Sequence, residues 1–393
     1  MAISLDVYQT TGLAMLLFAL GTLLVKKIGF LRKVCIPAPV VGGLLFAILN
    51  LILYQTGTME ISFDTTLQSI FMVWFFTSVG YSASFKLLAK GSIAVVIFLI
   101  LASGMQVIQN IVGAGLAGVF QLPAELGLCM GSVPLVGGHG TAASWGPVFE
   151  QMGIAGAEVV AIAAATYGLV AGSLMGGPVA RSLINKYNLK SNVDTSSVAI
   201  EDNKVDKGIF SKEIMYGFCL LIAAAGLGMY ITNFIKQFIT LPAYIGPMIV
   251  ALIIRNVCDA ANIKLPTDAI DASANVCLSI FLSLALMTLK LWQLIDLALP
   301  MIIILAVETV VMFFLAKYVV FRVMGGDYDA AVLTAGFCGF GMGATPNAMA
   351  NMQVITDKFG PSPKAYLVVP IVGGMFVDFT NTAILSAFTA FLG

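Results

Sequence analysis

The sequence predicts an all-α integral membrane protein: ten transmembrane helices in two inverted five-helix repeats, each with a re-entrant hairpin. Three observations lead there. Of 393 residues, 59% are hydrophobic and 10% charged, against about 25% charged in a soluble domain, so too little polar surface exists to cover a globule in water. Apolar stretches of spanning length recur along the chain, and threading them with the N-terminus outside sorts 18 of the 20 Lys and Arg residues to one side of the bilayer. Finally, patterns of the first half return in the second. Each half carries five spans, an odd number, so the second copy must sit upside down.

The first span, 6–25, is flanked by Asp6 before and by Lys26 and Lys27 after. A cleavable signal has the reverse order, so this segment is expected to stay as a span. Spans at 36–54, 67–85, 92–120 and 155–184 complete a first repeat, 1–184. Residues 185–212 are rich in Asn, Ser, Asp and Lys and read as a flexible cytoplasmic linker. Spans at 213–235, 242–258, 272–291, 297–321 and 364–391 make the second repeat, 213–393. Only Lys236 and Lys290 fall on the outer side of this path, and both chain ends fall there too.

The halves match in three places. IPAPVVGGLLFAI (36–48) resembles LPAYIGPMIVALI (241–253). Ser69-Ile70-Phe71 matches Ser279-Ile280-Phe281. Gly137-Gly138-His139-Gly140-Thr141 aligns with Gly341-Met342-Gly343-Ala344-Thr345. Pro37, Pro39, Pro242 and Pro247 interrupt span starts at corresponding positions, and read equally as kinks near a site or as first turns of helices.

Two segments, 124–150 and 328–351, resist assignment as spans. Both are apolar at the ends and Gly-rich in the middle. A helical arm of about ten residues reaches about 15 Å, half of a hydrocarbon core, so two arms and a glycine turn make a re-entrant hairpin. Counting either as a full span would spoil the charge sorting. By parity the first hairpin enters from outside and the second from inside, with tips meeting near the midplane. Second arms beginning near Thr141 and Thr345 would offer free N–H groups to an anion. The competing reading is glycine-rich packing of ordinary helices; clustered Gly with Pro and polar residues in GFGMGATPN favours hairpins.

Ionisable groups at bilayer depth are rare and usually functional. Asp378 lies mid-span in IVGGMFVDFTNTAIL, beside Thr380 and Asn381. It reads as an Na⁺ ligand, as a counter-ion to a substrate amine, or as an acid held by local hydrogen bonds. His139, the single histidine, sits at the first tip, as a proton relay, a carboxylate donor, or a neutral hydrogen-bonded residue. Thr166 and Ser173 in TYGLVAGSLMGGP offer hydroxyls to an ion, or serve close packing. Glu308 reads as structural or as facing a neighbouring helix. The six cysteines are scattered, with no C-x-x-C pair, so neither zinc nor disulfides are implied. There is no Walker loop, H-E-x-x-H or G-x-S-x-G triad, so no enzyme or primary pump is expected. A net charge of zero argues against nucleic acid as a partner.

The segments GGHGTAASW, CGFGMGATPNAMANMQVIT, LALMTLKLWQL and MGGDYDAAVL closely resemble the bacterial sodium/glutamate symporter family, nearly end to end except for the linker. The resemblance implies Na⁺-coupled uptake of L-glutamate across the bacterial inner membrane, a homodimer of inverted repeats, and an elevator-type mechanism. The family's glycine-rich loops fall on Gly137, Gly138, His139, Gly140 and Thr141, and on Gly339, Gly341, Gly343, Ala344, Thr345, Pro346 and Asn347. Asp378 matches an acid associated with the family, whereas Glu308 stands where the family more typically carries a neutral polar residue. The individual ligands are inferred from expected geometry: the two loops and Asp378 for substrate; Asp378, Asn381, Thr166 and Ser173 for Na⁺. Two rivals stay open: a proton-coupled carrier of another small carboxylate, with His139 and Asp378 as relay, and a channel gated by the hairpins.

Overall fold

The computed structural model describes residues 2–90, 93–191, 211–238, 241–295 and 297–392. The chain opens with a short strand, β1 (Ala2–Leu5), followed by α1 (Val7–Lys27). Asp6 caps α1: its side chain accepts from the Gln9 N–H, and the Gln9 side chain accepts from the Asp6 N–H. After α2 (Gly29–Lys33) comes α3 (Ala38–Gln55), with Pro37 just outside and Pro39 in its first turn, where a missing N–H loses no partner. Strand β2 (Glu60–Phe63) then pairs in parallel with β1, Ala2 opposite Glu60. The first half continues with α4 (Thr66–Ser82), α5 (Phe85–Lys90) and α6 (Ile93–Val119). A broken stretch follows, α7 (Ala124–Leu128), α8 (Ser132–Leu135) and α9 (Gly138–Gln151), and then α10 (Ala157–Tyr187).

The second half begins with α11 (Ser211–Ile235), α12 (Ile245–Ala260) and α13 (Thr267–Met287). A 3₁₀ turn, Leu291–Leu294, leads to α14 (Ala298–Phe314), which runs through a π segment, Leu315–Val320, into α15 (Phe321–Val323). Next come α16 (Tyr328–Met342) and α17 (Thr345–Phe359). Helix α18 (Pro363–Ile371) passes through a second π segment, Val372–Phe376, into α19 (Val377–Leu392). Pro370 lies just before that segment; it has no N–H to donate and its ring crowds the carbonyl four residues back, which disturbs the regular ladder there.

Eight helices among the described residues are long and apolar enough to cross a membrane. Two further helices are shorter: α4 has 17 residues and α12 has 16, against the roughly 20 that span a bilayer untilted. The β1–β2 pair departs from the all-α expectation. Each strand is four residues long, too brief to register against the apolar runs around it. Pro39 and Pro247 stand in the first turns of α3 and α12, while Pro37 and Pro242 precede those helices. Most of the expected linker, 192–210, lies outside the described residues.

Glycines set the closest helix crossings. At the α1–α3 crossing, a Cβ on Gly21 would overlap the Ala38 carbonyl oxygen and one on Gly42 the Leu17 carbonyl oxygen. The α11–α12 crossing has the same form, with Gly228 against Pro247 and Gly246 against the Gly228 carbonyl. Helix α3 meets α13 where Gly43 abuts Leu286, and α12 meets α4 where Met248 abuts Gly80. Helices α1, α3, α4, α11, α12 and α13 thus form one packing group. Helices α6, α10, α14 and α16 to α19, with the broken stretch, form another; α9 touches α13 and α19 touches α4 across the join.

Candidate functional site

The two Gly-rich segments form elbows that meet. In the second, α16 ends at Met342, Gly343 and Ala344 leave helical geometry, and α17 begins at Thr345 with Pro346 in its first turn. In the first, α9 begins at Gly138, whose φ is +60°, a conformation that glycine adopts without a Cβ penalty. A Cβ built on Gly138 would lie 3.4 Å from the Gly343 carbonyl oxygen, so the elbow backbones touch at glycine.

The first elbow is more broken than a simple two-armed hairpin, and its second arm starts three residues before Thr141. The cause is α6. A Cβ on Gly131 would lie 2.9 Å from the Gln109 carbonyl oxygen, and Asn110 Oδ1 accepts the Ser132 N–H at 3.1 Å. A side-chain amide thereby substitutes for a backbone partner, and the helix can stop and restart. Two more α6 amides do similar service. Gln106 Nε2 donates to the Val377 carbonyl at 3.0 Å, at the end of the second π segment, and Gln109 Nε2 donates to the Gly341 carbonyl at 2.9 Å.

Helix α10 seats the second elbow. Gly168 faces the Met342 carbonyl, Gly172 lies against the Cys338 and Gly339 carbonyls, and Gly176 against Ala335. Small residues at every fourth position let α16 approach this closely. Asn347 Nδ2 donates to the Leu169 carbonyl at 3.0 Å and Asn351 Nδ2 to the Gly172 carbonyl at 2.8 Å. Thr345 Oγ1 donates to the Gly373 carbonyl at 2.7 Å, tying the start of α17 to the second π segment; such segments recur at functional sites.

His139 is buried, and its Nε2 lies 3.0 Å from Thr166 Oγ1. That hydroxyl donates to the Ile162 carbonyl at 3.1 Å, so the oxygen receives the Nε2–H. Thr166 is therefore engaged with His139, and no hydrogen bond joins it or Ser173 to Asp378 among the described residues. Ser173 Oγ is buried without a partner. Asp378 is half-buried; its main-chain carbonyl accepts from Thr382 Oγ1 at 2.9 Å, while its carboxylate has no hydrogen bond or ion pair among the described residues. One turn on, Asn381 Nδ2 donates to the Ser132 carbonyl at 3.1 Å, and its Oδ1 has no partner. Thr380 Oγ1 donates to Gln106 Oε1 at 3.1 Å. Nearby, the Tyr244 hydroxyl accepts from Trp145 Nε1 at 3.0 Å, with Ser144 and Thr382 against it and Asp378 within electrostatic reach. No group of three or more His, Cys, Asp or Glu able to hold a metal occurs among the described residues. One acid with amide, hydroxyl and carbonyl oxygens is a set suited to a hard cation of low charge.

A cavity of about 1050 Å³ lies between the two packing groups. Ala143, Ser144, Glu150 and Glu158 line one wall, and Asn50 and Gln68 the other. Lys236 and Lys290, the two basic residues sorted to the outer side, also line it. Lys290 is within electrostatic reach of Glu150 and Glu158. The elbow residues 137–141 and 341–347 are not among its lining; Ala143 is the lining residue nearest to them along α9.

Sequence reading missed Gln106, Gln109, Asn110, Ser132, Ser144 and Tyr244. The signal for the first three was present: three amides within five positions of an otherwise apolar helix. Ser132, Ser144 and Tyr244 carried none, being brought to Asp378 and Asn381 by tertiary contacts.

The family profile described as sodium/glutamate symporter matches residues 3–361. A sodium/glutamate symporter of Haemophilus influenzae is 40% identical over 393 residues, covering 98% of this chain and 97% of that protein. A sodium/glutamate symporter of Escherichia coli (strain K12) is 41% identical over 390 residues, with 98% and 97% covered. Among solved structures, the sodium proton antiporter MjNhaP1 from Methanocaldococcus jannaschii overlays with a TM-score of 0.44 at 15% identity, covering 98% of this chain and 97% of that one; a likeness of that strength does not bear on the site.

Proposed function

The chain belongs to the sodium/glutamate symporter family and its activity is sodium-coupled glutamate symport; we propose that it carries L-glutamate into the cell by alternating access of an elevator type. In this reading all ten long helices span the membrane, α4 and α12 included. They form inverted repeats, 1–184 and 213–393, joined by the 185–212 linker, and the stretches 124–150 and 328–351 enter as hairpins from opposite faces. The crossings support it. The Gly21–Gly42 contact has its mate in Gly228–Gly246, and Gly43–Leu286 has its mate in Met248–Gly80 with the partners exchanged, as a pseudo-two-fold axis in the membrane plane requires. Both termini lie on the periplasmic side of a bacterial inner membrane, and two protomers pair through the α1–α3–α4 and α11–α13 group, which serves as the static scaffold.

The observation that carries the substrate reading is the meeting of two broken-helix elbows at Gly138 and Gly343. The α9 and α17 N-termini there present N–H groups and positive dipole ends to carboxylates. Gly137, Gly138, His139, Gly140 and Thr141 form one side of the substrate site. Gly341, Gly343, Ala344, Thr345, Pro346 and Asn347 form the other, with Asp378 near the amine. Asp378 and Asn381 are the strongest Na⁺ ligands; Thr166, held by His139, and Ser173 are the weaker. Binding of Na⁺ must favour the substrate-bound or mobile state for coupling to arise, and each net charge moved inward gains about 2.3 kcal/mol per 100 mV. Lys236 and Lys290 raise the local anion concentration in the outer cavity.

Uptake into proteoliposomes, with Na⁺ and pH varied independently, tests this reading. Radiolabelled glutamate should accumulate with an inward Na⁺ gradient and exchange against internal glutamate. Entry that follows a proton gradient and ignores Na⁺ would point to the proton-coupled carrier. Equilibration without counterflow would point to a channel.

A further inference from the structure

Glu308 lies in the middle of α14, 0% exposed, and neither carboxyl oxygen has a hydrogen-bond partner. One turn along the same face, Met312 reaches the second elbow: a Cβ on Gly341 would lie 2.7 Å from Met312 Cε and 2.6 Å from Met105 Sδ of α6. One turn along α6 from Met105, Gln109 holds the Gly341 carbonyl through Nε2 and leaves its own Oε1 buried without a partner. In the ten-span reading α6 and α14 run antiparallel, so Gln109 and Glu308 lie to the same side of the methionine layer. Two orphan groups, one acceptor and one potential donor, therefore flank the same glycine.

We propose that Glu308 is a proton-binding site: a neutral carboxylic acid that donates its O–H to Gln109 Oε1, and whose proton glutamate transport requires. That bond pairs Gln109 Oε1 with one of the two carboxyl oxygens, whereas a bare carboxylate buried there with no hydrogen-bond or ion-pair partner among the described residues would be costly. The flanking thioethers of Met105 and Met312 are soft ligands that suit Na⁺ poorly, which favours the proton as occupant. Among the described residues no cation pairs with Glu308. Helix α6 has no titratable group. Helix α10 carries Glu158, Tyr167, Arg181, Lys186 and Tyr187, of which Tyr167 bonds Thr309 at 2.9 Å. Helix α16 carries Tyr328, Asp329 and Cys338. The π segment carries Tyr318 and Lys317, whose ammonium lies over the Phe313 ring. The one ion pair among the described residues is Arg255–Asp259. Because α6, α14 and α16 pack in one group, the proton stays with the elbow when that group moves.

The inference rests on the transport reading, and its test separates the two. Na⁺-driven glutamate uptake by the wild type at neutral pH checks the transport reading alone. The pH profile then checks Glu308. Wild-type initial rates should fall on the alkaline side, about tenfold per pH unit once ionisation sets in, as a single proton dictates. Glu308→Gln, which is neutral at every pH, should remove that fall, with Glu308→Thr as a second neutral variant should Gln fail to fold. Infrared difference spectra of wild type against variant should lose a protonated-carboxyl band. An alkaline fall of equal steepness in folded variants, a wild type without one, variants folded but inactive at every pH, or spectra lacking the band would overturn the proposal.

Discussion

At the scale of single residues, the site depends on a few groups whose partners are either backbone or missing. The Asp378 carboxylate has no ion pair among the described residues, and Asn381 Oδ1 beside it has no hydrogen-bond partner. Asp378→Asn should abolish Na⁺ dependence or transport while the protein still folds; unchanged Na⁺ activation of uptake would remove Asp378 from the mechanism. Thr345 differs, because its hydroxyl already donates to the Gly373 carbonyl. Thr345→Val loses that bond, a cost of about 0.5–1.5 kcal/mol. It should weaken glutamate affinity by tenfold or more, read by calorimetry on purified protein; an unaltered affinity would put Thr345 outside the site. Gly138 and Gly140 form a natural pair for comparison. Alanine at Gly138 meets a φ of +60°, worth about 1–2 kcal/mol against any residue with a Cβ. A Cβ at Gly140 finds only ordinary contact at 3.5 Å from Phe75. Thermal unfolding should therefore show Gly138→Ala as clearly the less stable.

At the scale of elements, the sequence made the long helices legible and blurred the short ones. Eight of the ten apolar runs became helices long and apolar enough to cross a membrane, because hydrophobicity sustained over that length is hard to mistake; α4 and α12 came out shorter, at 17 and 16 residues. The strands escaped because four residues of period two cannot be told from their apolar surroundings. The elbow of α16 and α17 was visible down to Thr345, since glycines followed by Thr-Pro mark a helix restart. The other elbow was not, because its break at Gly131 depends on Asn110 and Gln109 in a different helix. Small residues in α10 likewise read two ways in the sequence, and the geometry favours packing. Gly168→Ala would press a methyl into the Met342 carbonyl, whereas Gly177→Ala meets nothing nearer than 4.0 Å. Gly168→Ala should cut uptake by about tenfold or more, equivalent to about 1.4 kcal/mol, and Gly177→Ala should stay near wild type. Equal uptake by the two would show that α16 does not depend on this close seat.

At the scale of the whole molecule, charge sorting and internal repetition set the expected architecture, but they say nothing about which parts move. The cavity supplies that step. Its walls belong to different packing groups: Ser144 and Glu158 stand on the group that holds both elbows, and Asn50 and Gln68 on the other. Sliding one group along the other by even a helical turn, about 5.4 Å, must change the cavity's shape and its access. Ser144→Cys, in a background where the six native cysteines are replaced, should react with a membrane-impermeant thiol reagent from the periplasmic side. Reactivity should fall when an outward Na⁺ gradient with internal glutamate poises the carrier inward, while a cysteine at Gln68 should keep its reactivity, as the proposed static scaffold requires. Equal protection at both positions would mean that the mouth merely closes like a lid, and equal exposure at both would mean that neither wall moves. Only the asymmetric result fits a group that carries its elbows and its ions through a fixed frame.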